Sequence, residues 1–188
     1  MSDEPPSDTP TDDTALSTAE PAVPTVRTAR ESDLPRLLAI QTAAFPAPHR
    51  TLLRNGVRTG LALVTTEGPA ETAALTRDEV PASAQPVGYA LFTVDDESVY
   101  VAELAVAPGH RRRGHGGRLL AAVAARHPER DQLRLTTRAD DERARAFYGS
   151  LGFHEVRTLP GYYDGQRAAE GTDGPGQTDG VLLVRDLE

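Results

Sequence analysis

The chain has 188 residues, 38% of them hydrophobic, which is enough for one domain with its own core. It contains no cysteine, so disulfides, thiolate nucleophiles and cysteine-based metal sites are excluded. The formal charge of −8 disfavours a nucleic-acid partner, and no apolar run is long enough to cross a membrane. Because the N-terminus also lacks a signal-peptide pattern, we expect a cytoplasmic protein.

Residues 1–24 are rich in Pro, Ser, Thr and Asp and have almost no apolar side chains, so a disordered acidic tail is predicted there. The tail could be a solubilising extension or a regulatory segment. One folded domain is predicted over 25–188. It begins with a strand at 25–29, followed by a helix that starts at Asp33. The inner face of this helix carries Leu34, Leu37, Leu38, Ile40 and Ala44.

After an interruption at the two prolines of 45–48, a short helix is predicted from His49 to Asn55, ended by Gly56. Strands follow, separated by turn residues and by a polar insertion at 67–85 that we expect to be a loop. The strands are predicted at 61–65, 86–94, 98–106, 132–137, 154–158 and 181–184. Helices are predicted at 116–126 and 141–151, and a glycine-rich insertion at 164–180.

An arginine- and glycine-rich turn joins the strand at 98–106 to the following helix. The first turn of that helix offers unpaired N–H groups and a positive dipole end, which favour an anion. Three consecutive arginines add fork-shaped donors suited to phosphate oxygens. The turn lacks the Gly-Lys-Ser/Thr of a Walker loop and a full dinucleotide fingerprint. It therefore predicts another phosphate ligand, with a plain solvated loop as the alternative.

Two motifs in this order resemble those of the GNAT acetyltransferase superfamily. The first is Val106-Ala107-Pro108 with Arg111-Arg112-Arg113-Gly114-His115-Gly116, which is similar to the family's acetyl-coenzyme A motif. The second runs from Asp141 through Tyr148 to Gly152-Phe153, with Asp141 where the family has Asn. Asp140 or Asp141 can cap this second helix, since both precede its apolar stripe. The resemblance covers roughly residues 25–188.

The resemblance implies an α/β (α+β) fold, with a mixed, largely antiparallel central sheet flanked by helices in a single domain. It also implies acetyl-CoA as cosubstrate and an amine as acceptor, in a monomer or homodimer. Residues carried over to cofactor binding are Leu104, Ala105, Val106, Arg111, Arg112, Arg113, Gly114, His115, Gly116, Gly117, Asp141 and Tyr148. His115 is expected only to start its helix. His110, His127 and His154 show no ligand spacing, so no metal is predicted.

Tyr148 and Glu103 are the predicted catalytic residues. Tyr148 matches the family's motif tyrosine, the general acid that protonates the departing thiolate; alternatively it only belongs to the apolar stripe of its helix. Glu103 shares its strand face with Val99, Val101 and Ala105, so burial would suit it to a role as base or amine anchor. The alternative is a carboxylate paired with one of the many arginines.

The acceptor region resembles that of the ribosomal-protein alanine acetyltransferase branch, which acetylates protein N-termini. The predicted acceptor-binding residues are Phe45, Pro46, Glu103, Tyr162 and Tyr163, with the two tyrosines either clamping a peptide N-terminus or lying exposed on a hairpin. Thr136 stands where the branch has a catalytic Glu, and residues 165–178 are an insertion. A small-molecule amine acetyltransferase and a catalytically silent acetyl-CoA-binding module are the alternative functions.

Overall fold

The computed structural model describes residues 23–68, 84–163 and 179–187. Almost all of the predicted acidic tail, and most of the two predicted insertions, lie outside the described residues. The described strands are β1 (Val23–Thr28), β2 (Ala62–Gly68), β3 (Pro86–Val94), β4 (Ser98–Val106), β5 (Gln132–Arg138), β6 (His154–Leu159) and β7 (Gly180–Asp186). The described helices are α1 (Leu34–Ala44), α2 (Arg50–Arg58), α3 (His115–Arg126) and α4 (Glu142–Ser150). None of these helices combines the length and apolar character that a membrane span requires.

The seven described strands form one sheet in the order β1-β2-β3-β4-β5-β7-β6. The pair β4–β5 is parallel and every other neighbouring pair is antiparallel. A parallel pair needs a crossover connection, and α3 supplies it between β4 and β5. The predicted fold class, a mixed and largely antiparallel sheet flanked by helices, is confirmed.

β4 and β5 are paired only along their first halves. Ser98–Val101 oppose Gln132–Leu135, while the strands themselves continue to Val106 and Arg138. Beyond Val101, β4 remains paired with β3 but has no partner on its other side, although both strands lie wholly within the described residues. This edge of β4 therefore presents backbone N–H and C=O groups, which no described strand pairs, to an opening in the middle of the sheet.

Helices cover both faces of the sheet and bury two apolar clusters. On one face, α3 buries Leu119, Leu120 and Val123 against β3, β4 and β5. On the other face, α1 and α2 bury Leu37, Ile40, Leu53 and Val57 against β2 and β3. Each fully buried aliphatic side chain of this kind contributes about 1.5–3 kcal/mol of transfer free energy. Both faces of the sheet are thus covered by packed helices next to the opening.

A register shift at Ala102 turns Glu103 toward α1. The pairing with β3 skips Ala102, which makes it the extra residue of a β-bulge. Val99 and Val101 consequently pack in the cluster under α3, whereas Ala105 packs in the cluster under α1 and α2. The prediction that Glu103 shares its face with all three residues is therefore wrong for the two valines, because strand alternation fails at the bulge.

The predicted end of the second helix at Gly56 is also wrong. α2 continues to Arg58, and a Cβ on Gly56 would collide with the side chain of Leu91. Gly56 is thus required for close packing of α2 on β3. Gly60, with φ of +74°, supplies the left-handed conformation that ends the helical segment. Likewise, β2 extends through Glu67, which was predicted to lie in a loop.

Candidate active site

The opening between β4 and β5 leads into a cavity of about 580 Å³. Its walls come from β4, β5, α4, the α1–α2 connection and the turn after β6. The predicted site residues that line it are Phe45, Pro46, Glu103, Leu104, Val106, Arg111, Asp141, Tyr148, Tyr162 and Tyr163. Both predicted catalytic residues and all predicted acceptor residues thus meet in one space.

The remaining predicted cofactor residues lie outside the cavity lining. Ala105 is buried under α1 and α2. The others, Arg112, Arg113, Gly114, His115, Gly116 and Gly117, form the loop after β4 and the first turn of α3. Two residues of this loop, Arg112 with φ of 62° and Gly114 with φ of 83°, are left-handed. These two left-handed residues turn the chain so that α3 starts shortly after β4. The free N–H groups of the first turn of α3 can therefore bind an anion near the cavity.

The glycines of α3 serve contact between helices. A Cβ on Gly116 would lie 3.0 Å from Phe147 Cζ, and one on Gly117 would lie 3.5 Å from a methyl group of Leu151. These two residues therefore allow α3 to approach α4, a packing role that leaves their backbone N–H groups available for the predicted contact with a ligand. Gly114 has nothing within 4 Å of its Cβ position, so its positive φ is what requires glycine.

The three consecutive arginines have different surroundings. Arg111 donates from Nε to the carbonyl oxygen of Val106 at 3.0 Å and lines the cavity. Arg113 is 58% exposed, and its Nη1 lies 3.3 Å from Glu67 Oε1. Arg112 is exposed. Arg111 is therefore the arginine of the three that is held at the cavity.

His115 does more than start α3. Its side chain is 1% exposed, with Nδ1 2.9 Å from Thr65 Oγ1 and Nε2 2.8 Å from Glu67 Oε1. The prediction of a simple helix-start residue is wrong, because the ring joins α3 to β2. Thr65 and Glu67 are two residues apart on β2 and share one face of that strand, so both can contact the ring.

Tyr148 lies on α4 in aromatic surroundings. Its ring packs edge-on against Phe153, with centroids 5.7 Å apart, and also contacts Phe147. Burial, together with the negative charge of Asp141, raises the pKa of Tyr148 to about 12, so its hydroxyl stays protonated at neutral pH. Asp141 accepts a hydrogen bond from Ala144 N at 2.9 Å, and of the two predicted caps it is the one that is used.

Glu103 is 8% exposed and is held by two neutral side chains. Gln41 Nε2 donates to both carboxylate oxygens, at 3.0 and 2.9 Å, and the Tyr89 hydroxyl donates to Oε2 at 2.6 Å. Burial and the charge of Glu103 raise the pKa of Tyr89 well above its usual value, which keeps it a donor. The hydrogen-bond partners of Glu103 in the described residues thus include no arginine, in contrast to the predicted alternative.

Sequence reasoning missed Gln41 and Tyr89. Gln41 follows Leu37 by four residues on the inner stripe of α1, and a polar residue at such a position needs a buried partner. That exception in the apolar pattern was the available signal. Tyr89 lies inside an apolar strand, and nothing in its local pattern distinguishes it from a core aromatic.

Tyrosines from β4 and from the turn after β6 form a wall of the cavity around Thr136. Tyr100 donates to Thr136 Oγ1 at 3.0 Å, and its hydroxyl lies 3.2 Å from that of Tyr162. Tyr163 donates to the Thr136 carbonyl oxygen at 3.3 Å, and burial helps to raise the pKa of Tyr163 to about 12. The position where the resembled branch has Glu is therefore occupied by a threonine engaged with tyrosines, while β4 brings the buried carboxylate of Glu103 to the cavity.

Comparisons with known proteins agree with this geometry. Over 57 residues the chain is 49% identical to the mycothiol acetyltransferase of Kineococcus radiotolerans, and over 80 residues it is 41% identical to that of Saccharomonospora viridis. These matches cover 30% and 42% of this chain but only 18% and 25% of the relatives. The crystal structure of the ribosomal-protein-S18-alanine N-acetyltransferase from Escherichia coli has the same fold. It matches with a TM-score of 0.66 at 20% identity, covering 88% of this chain and 95% of that one.

A family model provides the broadest match in sequence. The model described as "Acetyltransferase (GNAT) family" matches residues 36–153, which is more than half of the chain. The matched range runs from α1 through α4 and contains both Glu103 and Tyr148. The chain therefore belongs to the GNAT acetyltransferase family.

Proposed function

We propose that this protein is an acetyl-CoA-dependent N-acetyltransferase whose acceptor is the α-amine of a peptide or protein N-terminus. The observation that carries the proposal is the opening between β4 and β5. It runs from the loop before α3 to a cavity that Glu103 and Tyr148 line together. This places two groups able to move protons in one cavity, next to a loop whose arginines and free N–H groups suit phosphate.

The residues present fit acetyl-CoA. The first turn of α3 and Arg111 would hold the pyrophosphate, because both offer donors to an anion. The free edge of β4 over Leu104–Val106 would pair with the amide groups of the pantetheine arm. When bound, the cosubstrate supplies an acetyl thioester that is already activated toward an amine.

Tyr148 and Glu103 would share the proton transfers. Tyr148, protonated at neutral pH, donates to the sulfur as the carbon–sulfur bond breaks. Glu103 accepts, through water, the proton that the amine loses as the nitrogen–carbon bond forms. Because donors from Gln41 and Tyr89 fix its two oxygens, Glu103 is pre-oriented toward a positively charged acceptor.

The tyrosine wall supports a peptide as acceptor. The side chains of Tyr100, Tyr162 and Tyr163 line the cavity, where their hydroxyl oxygens can accept hydrogen bonds from peptide N–H groups while Tyr100 and Tyr163 donate to Thr136. Phe45 and Pro46 provide an apolar wall for the first side chain. Tyr162 is 50% exposed, which leaves the cavity accessible to an extended chain.

A small-molecule amine is the second candidate acceptor. It is favoured by the buried carboxylate of Glu103, which suits a free ammonium group, and by relatives named for mycothiol rather than for a protein. A third possibility, a binding module without activity, would bind acetyl-CoA and turn over none of the amines.

Release of free CoA from acetyl-CoA distinguishes these functions. The acceptors are short peptides with free α-amines, the same peptides with blocked α-amines, and a panel of small amines. We expect turnover on free peptides only. Turnover restricted to small amines, or tight acetyl-CoA binding without turnover, would contradict the proposed acceptor.

A further inference from the structure

A group of metal-ligating side chains lies behind the loop that opens α3. It consists of Glu67 at the end of β2, His110 in the single helical turn after β4, and His115 at the start of α3. One ligand atom from each residue lies within 4.8 Å of the other two. The group is separate from the cavity, since none of its members lines it.

From this geometry we propose a binding site for a divalent transition metal of the zinc class, held by Glu67 Oε1, His110 Nδ1 and His115 Nε2. Two imidazoles and one carboxylate are a common zinc ligand set, and they leave a fourth position open. Zinc–ligand bonds of about 2.0–2.1 Å place tetrahedral ligand atoms about 3.3 Å apart. The distances from Glu67 Oε1 are 3.1 Å to His110 and 2.8 Å to His115, and the two histidine nitrogens lie within 4.8 Å of each other. The shifts needed to reach a tetrahedral arrangement are therefore at most about 1.5 Å.

The surroundings of His115 fix its ring for this role. Its Nδ1 contacts Thr65 Oγ1 at 2.9 Å, and both side chains are buried. Thr65 Oγ1 can accept a hydrogen bond from Nδ1–H, the tautomer that leaves Nε2 free to ligate, and the contact turns that second nitrogen toward the ligand position, as in established zinc sites. Nε2 of His115 therefore faces Glu67 along a fixed direction.

The surroundings of His110 favour a bound cation over a simple hydrogen bond between His115 and Glu67. A proton on His115 Nε2 would satisfy the contact between His115 and Glu67. That proton would do nothing for His110. Its Nδ1 is buried and has no well-aligned hydrogen-bond partner in the described residues. One cation between the three atoms would satisfy all of them.

Access and charge are compatible with this site. His110 is 30% exposed and Glu67 is 19% exposed, so the ligand atoms can be reached from solvent. Arg113 competes for Glu67 at 3.3 Å, but it is 58% exposed and can turn away into water. The site would join β2 to both ends of the loop over 111–114, the loop that we expect to bind phosphate.

Zinc binding to the full, untagged chain tests this proposal. The chain is stripped of metal and titrated with zinc against a chromogenic chelator. We expect one equivalent per chain, with affinity reduced at least about 100-fold in both Glu67→Gln and His110→Ala, and about 10- to 100-fold in Thr65→Val. His154→Ala removes an exposed histidine elsewhere and should leave the affinity unchanged.

Binding of less than one zinc per chain would overturn the site. So would a zinc affinity in Glu67→Gln or His110→Ala equal to that of the unaltered chain, or a loss of affinity in His154→Ala as large as in those two variants. Cobalt provides a second readout on the unaltered chain, which does not depend on the folding of any variant. We expect the intense visible absorption of tetrahedral cobalt. A weak octahedral spectrum would overturn the proposal.

Discussion

Tyr148 and Glu103 reach the same cavity from α4 and from β4, and their environments differ. Tyr148 lies among aromatic rings and near Asp141, which keeps its hydroxyl protonated. Glu103 is surrounded by neutral donors that orient a carboxylate without neutralising it. Two titratable groups with such different surroundings can divide the acid and base roles between them.

Tyr148→Phe tests the acid role directly. The substitution removes one hydroxyl and keeps the ring that packs on Phe153, so folding and acetyl-CoA affinity should not change. We expect kcat to fall about 100-fold or more, the usual contribution of general acid–base catalysis. Steady-state kinetics and acetyl-CoA titration measure both quantities. An unchanged kcat would mean that Tyr148 only packs α4.

Glu103→Gln tests the anchor role with a side chain of the same shape. Loss of a charged hydrogen bond costs about 1.5–3 kcal/mol, so kcat/KM for the amine should fall about 10- to 100-fold while acetyl-CoA affinity stays constant. Glu97→Gln, at an exposed position just before β4, is the matched control. If kcat/KM in Glu103→Gln is as close to the wild-type value as it is in Glu97→Gln, Glu103 does not bind the acceptor amine.

At the scale of elements, the loop between β4 and α3 depends on one left-handed glycine. Gly114→Ala places a Cβ at φ of 83°, which costs about 1–2 kcal/mol and would shift the first turn of α3. We expect weaker acetyl-CoA binding and a lower unfolding midpoint. Gly109→Ala in the same loop meets nothing within 4 Å and has ordinary φ, so it should change neither. Equal effects in both variants would contradict the conformational argument.

A buried ion pair holds β1 to the start of α1. Arg27 donates to both oxygens of Asp33, at 2.6 and 2.9 Å, and both residues are buried. Burial alone would raise the pKa of Asp33, but the hydrogen bonds from Arg27 and from the backbone of Arg30 outweigh it and lower the pKa. Because the folded pKa is depressed, the stabilisation is present above the unfolded value and is lost as pH falls through the folded one.

Asp33→Asn should therefore reduce the free energy of unfolding by about 3 kcal/mol at neutral pH, since it leaves the Arg27 charge unpaired. The deficit should shrink below about pH 4, where the wild-type carboxyl group is protonated on unfolding. Glu31→Gln, in the same turn but exposed, is the control. Denaturant unfolding at several pH values measures the difference, and a deficit that does not vary with pH would contradict the assignment.

Periodicity and turn residues predicted the elements well where one physical rule acts locally. The two strands around Asp95–Glu97 have the predicted bounds, α3 begins one residue earlier than predicted, and α4 is one residue shorter at each end. The Arg-Gly turn and the Tyr148 helix carry the family resemblance in their residues alone. Each of these features is encoded within one short stretch of consecutive residues.

Features that depend on contacts across the sheet were not predictable in this way. Gly56 was predicted to end its helix, whereas the residue that requires glycine there is Leu91 on β3, whose side chain occupies the space of a Cβ. The bulge at Ala102 redirected Glu103, and strand alternation contains no signal for it. The group of Glu67, His110 and His115 spans 48 residues between Glu67 and His115, and the spacing of the histidines alone gave no indication of it.

For the whole molecule, charge and composition shape how activity can be measured. Residues 1–26 carry six acidic and no basic residues, so −6 of the total −8 lies there and −2 in the remainder. Residues 27–188 are therefore close to neutral, so long-range attraction contributes little to substrate selection compared with local groups such as Glu103. All basic residues are arginines, so the chain has no lysine amine that could accept an acetyl group in an assay.

The most direct test of the account is mass spectrometry of a peptide that carries both a free α-amine and one lysine side chain. The peptide is incubated with acetyl-CoA and the protein, and the acetylated nitrogen is located by fragmentation. Because the protein lacks lysine, any acetyl-lysine must come from the peptide. We predict an acetyl group on the α-nitrogen only, lost in Tyr148→Phe. Acetylation of the lysine instead, or of neither amine, would contradict the proposed function.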